Sequence, residues 1–250
     1  MNNKDFKIQE SITGKKKSKL QRYMDLVIGS NSLWDLIKYE LIILFFSRLP
    51  GALGIVLRGK FFPMLFKKVG KGVIFGSNMV LRHPKKITIG DNVIIDDNVL
   101  LDAKGDDNDG ILLENEVFIG RNSILSCKGG NITLKERANV GFNCEIFSSN
   151  MVVIGKDNLI AAYTYVVGGG NYKLDRTDIP INQQPDFEGK GGVITEEDVW
   201  LAAHVVLLDG TKVGKGSVIA AGAIVSGDIS EYSIAGGIPA KVIKTRPYKS

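Results

Sequence analysis

Residues 87–101 read ITIGDNVIIDDNVLL, with Ile89, Ile95 and Leu101 six apart and Gly90 directly after the first of them. The interval returns along the chain as Leu113, Ile119, Leu125, then Leu134, Val140, Ile146, then Ile154, Ile160, Val166. After an interruption, Leu201, Leu207, Val213, Ile219 and Val225 keep the same spacing. Gly follows the aliphatic residue again at Gly120, Gly141, Gly155 and Gly214, with Asn or small residues nearby. An α-helix would repeat its apolar face at three and four. Alternation at two with a turn in every six instead describes short strands joined by tight corners, three sides to a coil, each side turning one aliphatic residue inward.

Stacked coils of this kind bury a column of Ile, Leu and Val. Gly or Asn near the corners suits backbone that has positive φ or no room for a Cβ. The repeat predicts an all-β fold, a left-handed parallel β-helix, over residues 71–235. Two stretches interrupt it. GDDNDG (105–110) reads as a solvated loop between coils, too short for an EF-hand. GGGNYKLDRTDIPINQQPDFEGKGGV (168–193) is a longer extruded loop, the kind of segment on which a rigid solenoid carries function.

The flanks differ in character. Residues 1–30 hold Lys15, Lys16, Lys17, Lys19 and Arg22 among few large apolar side chains and read as a basic flexible tail. Residues 31–70 are rich in Leu, Ile and Phe and look helical, but Asp35, Lys38, Glu40 and Arg48 interrupt the first apolar run. That run falls short of the roughly 18 uncharged residues a membrane-spanning helix requires. It can pack on the end of the β-helix, or residues 31–68 can make peripheral membrane contact with Arg58, Lys60, Lys67 and Lys68 facing headgroups. Residues 236–250 read as a C-terminal tail.

Over 250 residues, 32 Lys and Arg against 27 Asp and Glu give a net charge of +5, much of it N-terminal. No aromatic and cationic stripe accompanies the excess, so nucleic-acid binding has no more support than the basic tail gives it. Cys127 and Cys144 are the only cysteines and no signal-peptide pattern opens the sequence. A cytoplasmic setting fits, with the inner face of the membrane as its variant.

The coils, together with DVWLAAHVVLLDGTKVGKGSVIAAGAIVSGDI (198–229) and SIAGGIPAKVIKTR (233–246), make residues 70–245 resemble the hexapeptide-repeat acyltransferases. The resemblance is to the branch of maltose, galactoside and colanic-acid O-acetyltransferases. It implies a homotrimer that lays acetyl-CoA along grooves between neighbouring β-helices, uses no metal, and acetylates a hydroxyl of a sugar or glycan in surface polysaccharide biosynthesis. Ala202, Ala203, Ala220, Ala221 and Gly222 would offer the pantetheine arm backbone without bulk, and Lys241, Lys244 and Arg246 would meet the CoA phosphates. Trp200 resembles the family tryptophan that lines the acceptor or thioester site.

One departure matters. Acetyl transfer to a hydroxyl needs a base and a donor for the developing oxyanion. The family's catalytic histidine follows the loop glycines, where this chain reads Gly168, Gly169, Gly170, Asn171, Tyr172. Only His83 and His204 exist in the sequence; His83 reads as structural, and His204, four residues beyond Trp200, is the histidine placed to substitute. Tyr172, with an ordinary pKa of about 10, would need strong perturbation to act as a base. Asn171 could hold the acceptor or the oxyanion, while Asp175 and Asp178 are weak bases better suited to binding substrate. The missing histidine leaves a second reading, a catalytically impaired β-helix module that binds CoA or glycan or scaffolds an assembly enzyme. A γ-type carbonic anhydrase is set aside, because His83 and His204 lie too far apart in the stack to converge on zinc.

Overall fold

The computed structural model describes residues 17–170, 173–181, 184 and 189–247. From Lys68 onward the described residues form three sheets of seven, nine and seven strands around a common core. The first sheet runs from Lys68–Val69 to Thr211–Val213, and the third from Val80–Arg82 to Ile224–Val225. The second runs from Ile74–Phe75 to Ser233–Gly237, and all of these strands pair in parallel. Residues six apart fall on successive sides, and residues one coil apart stack. Ile89, Leu113, Leu134 and Ile154 are in register on the first sheet, and Leu101, Leu125, Ile146 and Val166 on the third. Every aliphatic residue of the sixfold series is at most 1 % exposed. Each contributes roughly 1.5–3 kcal/mol by leaving water.

Gly and Asn serve the corners differently. The residue with positive φ is commonly Asn, as at Asn78, Asn98, Asn122 and Asn143. Gly120 and Gly141 are needed for space instead, since a Cβ on either would stand 2.7 or 2.9 Å from the backbone of the next coil.

Helices close the N-terminal end: α1 (Lys19–Tyr23), α2 (Leu33–Phe46) and α3 (Gly51–Phe61). Residues 19–28 are therefore not a free tail. Ser18 and Gln21 form a capping box that starts α1, and in the wider turn that follows, Met24 and Ile28 are buried. Arg58, 2 % exposed, donates through Nε to the Phe75 carbonyl at 2.9 Å and through a terminal nitrogen to the Leu49 carbonyl at 2.6 Å. The buried guanidinium thus ties α3 to the chain just beyond α2 and to the first coil, and burial lowers its pKa. Asp35, also buried, holds Lys85 at 2.5 Å and Ser30 at 2.8 Å.

The C-terminus also departs from expectation. Residues 236–247 are not a tail, because Ala240–Thr245 returns as a strand antiparallel to Ser233–Gly237 and pairs its backbone along the second sheet. Between coils, Asp106 and Asp107 are solvated but Asn108 is buried; it accepts from Lys86 Nζ at 2.9 Å and donates to the Gly130 carbonyl at 2.9 Å, pinning the loop.

Candidate active site

The corner between the second and third sheets carries most of the residues singled out above. Trp200–Leu201 is a strand of the second sheet and Val206–Leu207 one of the third, so Ala202, Ala203 and His204 turn the corner between them. One coil further, Ala220, Ala221 and Gly222 do the same between Val218–Ile219 and Ile224–Val225. The two turns stack: Ala202 N–H donates to the Ile219 carbonyl at 2.9 Å, and Gly222 N–H to the Ala203 carbonyl at 3.0 Å.

His204 occupies the left-handed position of its turn, with φ of 60°, and is exposed. Its ring lies flat on Tyr163 of the preceding coil, centroids 5.0 Å apart and planes 4° from parallel. Such stacking is worth about 0.5–1.5 kcal/mol. On the following coil the equivalent residue is Gly222, where a Cβ would meet nothing within 4 Å. One face of the imidazole is therefore covered by an aromatic ring and the other adjoins backbone with no side chain. Trp200 points outward from the second sheet between Leu159 and Val218 and is 48 % exposed.

Sequence reasoning missed Tyr163 and the small residues beneath it. The signal was available, since AAY (161–163), AAH (202–204) and AAG (220–222) are three successive versions of one corner. The long stretch of chain between Tyr163 and His204, swollen by the extruded loop, conceals that they are neighbours.

The loop itself leaves the strand Tyr165–Gly168 of the third sheet and returns into Val193–Thr195 of the first. It stands on a different corner from His204. Asn171 and Tyr172 lie outside the described residues. Asp175 and Asp178 are exposed; Asp178 is held by Arg176, with 3.0 Å from Nε to Oδ1, and the guanidinium keeps its carboxyl below the usual carboxylate range. Lys241 and Lys244 are exposed on Ala240–Thr245, whereas Arg246 donates to Asp198 at 3.1 Å and to the Gly216 carbonyl at 3.0 Å.

His83, read above as structural, is held by backbone far from the late corner. His83 meets the Asp25 carbonyl through Nε2 at 2.7 Å, and burial lowers its pKa. Burial pushes the Cys127 thiol up to about 12 and raises that of Cys144. Both thiols are buried away from solvent. Among the described residues no group of three or more His, Cys, Asp or Glu is placed to hold a metal ion.

Set beside known proteins, the chain is 35 % identical over 109 residues to the galactoside O-acetyltransferase of Lactococcus lactis, covering 42 % of this chain and 52 % of that one. It is 33 % identical over 119 residues to WbbJ of Escherichia coli, which carries the name of a lipopolysaccharide biosynthesis O-acetyl transferase, covering 46 % of this chain and 61 % of that one. Both relatives are named as O-acetyltransferases. The match spans about half the length of these curated relatives. No family model matches the chain. Among solved structures, a single-residue variant of AntD, an N-acyltransferase from Bacillus cereus in complex with dTDP and coenzyme A, shares the fold with a TM-score of 0.51 at 22 % identity, over 80 % of this chain and 92 % of that one.

Proposed function

We propose that the chain is an acetyl-CoA-dependent O-acetyltransferase acting on a hydroxyl of a sugar or glycan in surface polysaccharide assembly. The observation that carries this reading is the bare Ala and Gly corner at residues 202–203 and 220–222, directly beside the supported imidazole of His204 and the exposed Trp200. A thin thioester arm can lie against such backbone, where a larger side chain would hold it off. Lys241 and Lys244 offer cations for its phosphates; Arg246, already held by Asp198, is a weaker candidate. The names of the galactoside and lipopolysaccharide relatives support a sugar acceptor.

In this reading the acceptor hydroxyl gives its proton to the His204 imidazole as its oxygen bonds to the acetyl carbonyl carbon. The carbon–sulfur bond then breaks, and the CoA thiolate recovers the proton from the imidazolium. Asn171 or Tyr172 would bind the acceptor or the oxyanion, with Asp175 and Asp178 accepting hydrogen bonds from sugar hydroxyls.

A corner of a prism is convex and encloses nothing by itself. The loop and His204 stand on different corners of one chain, so a homotrimer would bring the loop of one copy to the His204 corner of its neighbour. Outward-facing Ile74, Ile94, Leu159 and Trp200, in one column of the second sheet, supply an apolar surface for that contact. The test is CoA release from acetyl-CoA with nucleotide sugars and lipid-linked glycans as acceptors. Failure of the chain to bind CoA ends the proposal.

The histidine-free loop favours one alternative, a noncatalytic module that binds CoA or glycan or serves as a scaffold. Placing His at 171 or 172 discriminates. A large gain in turnover marks a decayed site, whereas full activity in the unaltered chain refutes the alternative.

A further inference from the structure

Helix α2 is apolar on both sides. Its inward side buries Tyr39 and Ile42 against the first coil, with Tyr39 Oη donating to the Leu81 carbonyl at 2.7 Å. Its outward side, at helical spacing, shows Trp34, Ile37, Leu41 and Leu44 to solvent, with Trp34 71 % and Leu44 74 % exposed. A run of exposed large apolar side chains on one helix face marks a contact surface. Helix α3, joined to α2 by the stacked rings of Phe46 and Phe61 at 4.2 Å, likewise exposes Leu53, Ile55 and Val56. No described helix is long and apolar enough to cross a membrane.

Charge identifies what covers this face. Between Glu40 and Asp91 the chain has no Asp or Glu at all. Arg48, Lys60, Lys67, Lys68 and Lys71 are all exposed in that span. Glu40, the acid on the outward side of α2, is taken by the Tyr23 hydroxyl. A two-fold contact between copies of so cationic a face would set like charges against each other. An apolar face carrying an exposed Trp, in a span whose exposed charged side chains are Lys and Arg, matches the interfacial layer of an anionic bilayer, where aromatic rings sit at headgroup level and cations are drawn to the surface.

We infer that the N-terminal helical cap docks on anionic lipid, with α2 and α3 lying in the plane of the interface. The coils then stack away from the surface. Five strand steps separate Ile74 from Trp200. At about 4.8 Å per step the Trp200 coil stands about 24 Å from the first coil, within reach of a glycan whose lipid end remains in the membrane.

Vesicle sedimentation of the full chain tests this, with phosphatidylcholine vesicles against mixed phosphatidylcholine and phosphatidylglycerol vesicles. Binding to the mixed vesicles is expected at least tenfold tighter, and high salt should weaken it. In a Trp200→Phe background, Trp34 fluorescence should shift to the blue on binding. The doubly substituted Leu44→Glu, Leu53→Glu chain alters only exposed positions, so it should keep its thermal stability and lose vesicle binding. Lys67→Gln with Lys68→Gln should weaken binding to the mixed vesicles alone. Equal binding to both vesicle types, no binding to either, or unchanged binding by the Leu44, Leu53 variant overturns the inference. Loss of the oligomer in that variant with no vesicle binding by the parent identifies the face as a subunit contact instead. None of these readouts requires acetyl transfer, so they separate this inference from the proposed activity.

Discussion

The corner between the second and third sheets is built in two ways on one backbone. In the early coils it carries Asp97, Arg121 and Phe142 beside the left-handed residues Asn78, Asn98, Asn122 and Asn143. Those side chains satisfy one another: Asn78 Nδ2 donates to Asn98 at 2.8 Å, Ser77 Oγ to Asp97 at 2.9 Å, and the Arg121 guanidinium lies 4.5 Å over the Phe142 ring. In the late coils the same positions are Ala162, Ala203 and Ala221, with Tyr163, His204 and Gly222 in the left-handed places. The early corner is closed by its own side chains and the late one is left open beside an imidazole. A repeat supplies many equivalent corners; the candidate site is the one that side chains stop filling.

The sharpest way to break this comparison is to make the late corner like the early one. His204→Asn installs the residue that the early corner uses at the same φ, so the fold should stand. Turnover should fall by about 10²–10⁴ with CoA affinity within twofold, as expected for loss of a general base. An unchanged rate in a CoA-release assay would remove His204 from the chemistry. Asn143→His, the reverse exchange on an early coil, should leave turnover where it was.

Next in size, Ala203→Phe copies Phe142 onto the late corner. The early coils accommodate that ring, so Tm should move little, while calorimetry should find CoA binding about 100-fold weaker, roughly 2.7 kcal/mol. Equal binding would mean that the open corner does not receive the thioester arm.

The clamped end offers a contrast in stability. The Lys85 ammonium, then Ser30, hold the Asp35 carboxyl below its ordinary range. A depressed carboxylate stabilises the fold above the unfolded pKa, near 3.9, and the contribution is lost as pH falls through the folded value. Asp35→Ala should therefore cost about 1–3 kcal/mol at neutral pH, and the gap from the parent should close under acid, checked by urea unfolding at several pH values. The smallest effect belongs to Tyr163→Asn. It removes the ring beneath His204, and a loss of about 0.5–1.5 kcal/mol should appear in kcat more than in KM.

Much of the fold was legible because its rule is local. An inward aliphatic residue recurs every six positions, and the coil geometry follows from strand alternation and turn backbone alone. The termini were harder to read. Residues 19–28 are polar enough to pass for a tail, and only the tertiary structure shows Met24 buried and Ile28 packed into the core. Residues 240–245 carry no repeat, and their strand exists because the edge of the second sheet offers unpaired backbone.

At the candidate site the division is similar. The sequence alone determined the prism, its inward columns, and the small residues and histidine of the late turns, since each depends on neighbours a few positions away. Only the tertiary structure decided that Tyr163 lies under His204, that Gly222 leaves the other side open, that the loop stands on another corner, and that α2 turns an apolar side to solvent. Those are relations between coils, set by stacking across a loop whose length the six-residue rule does not count.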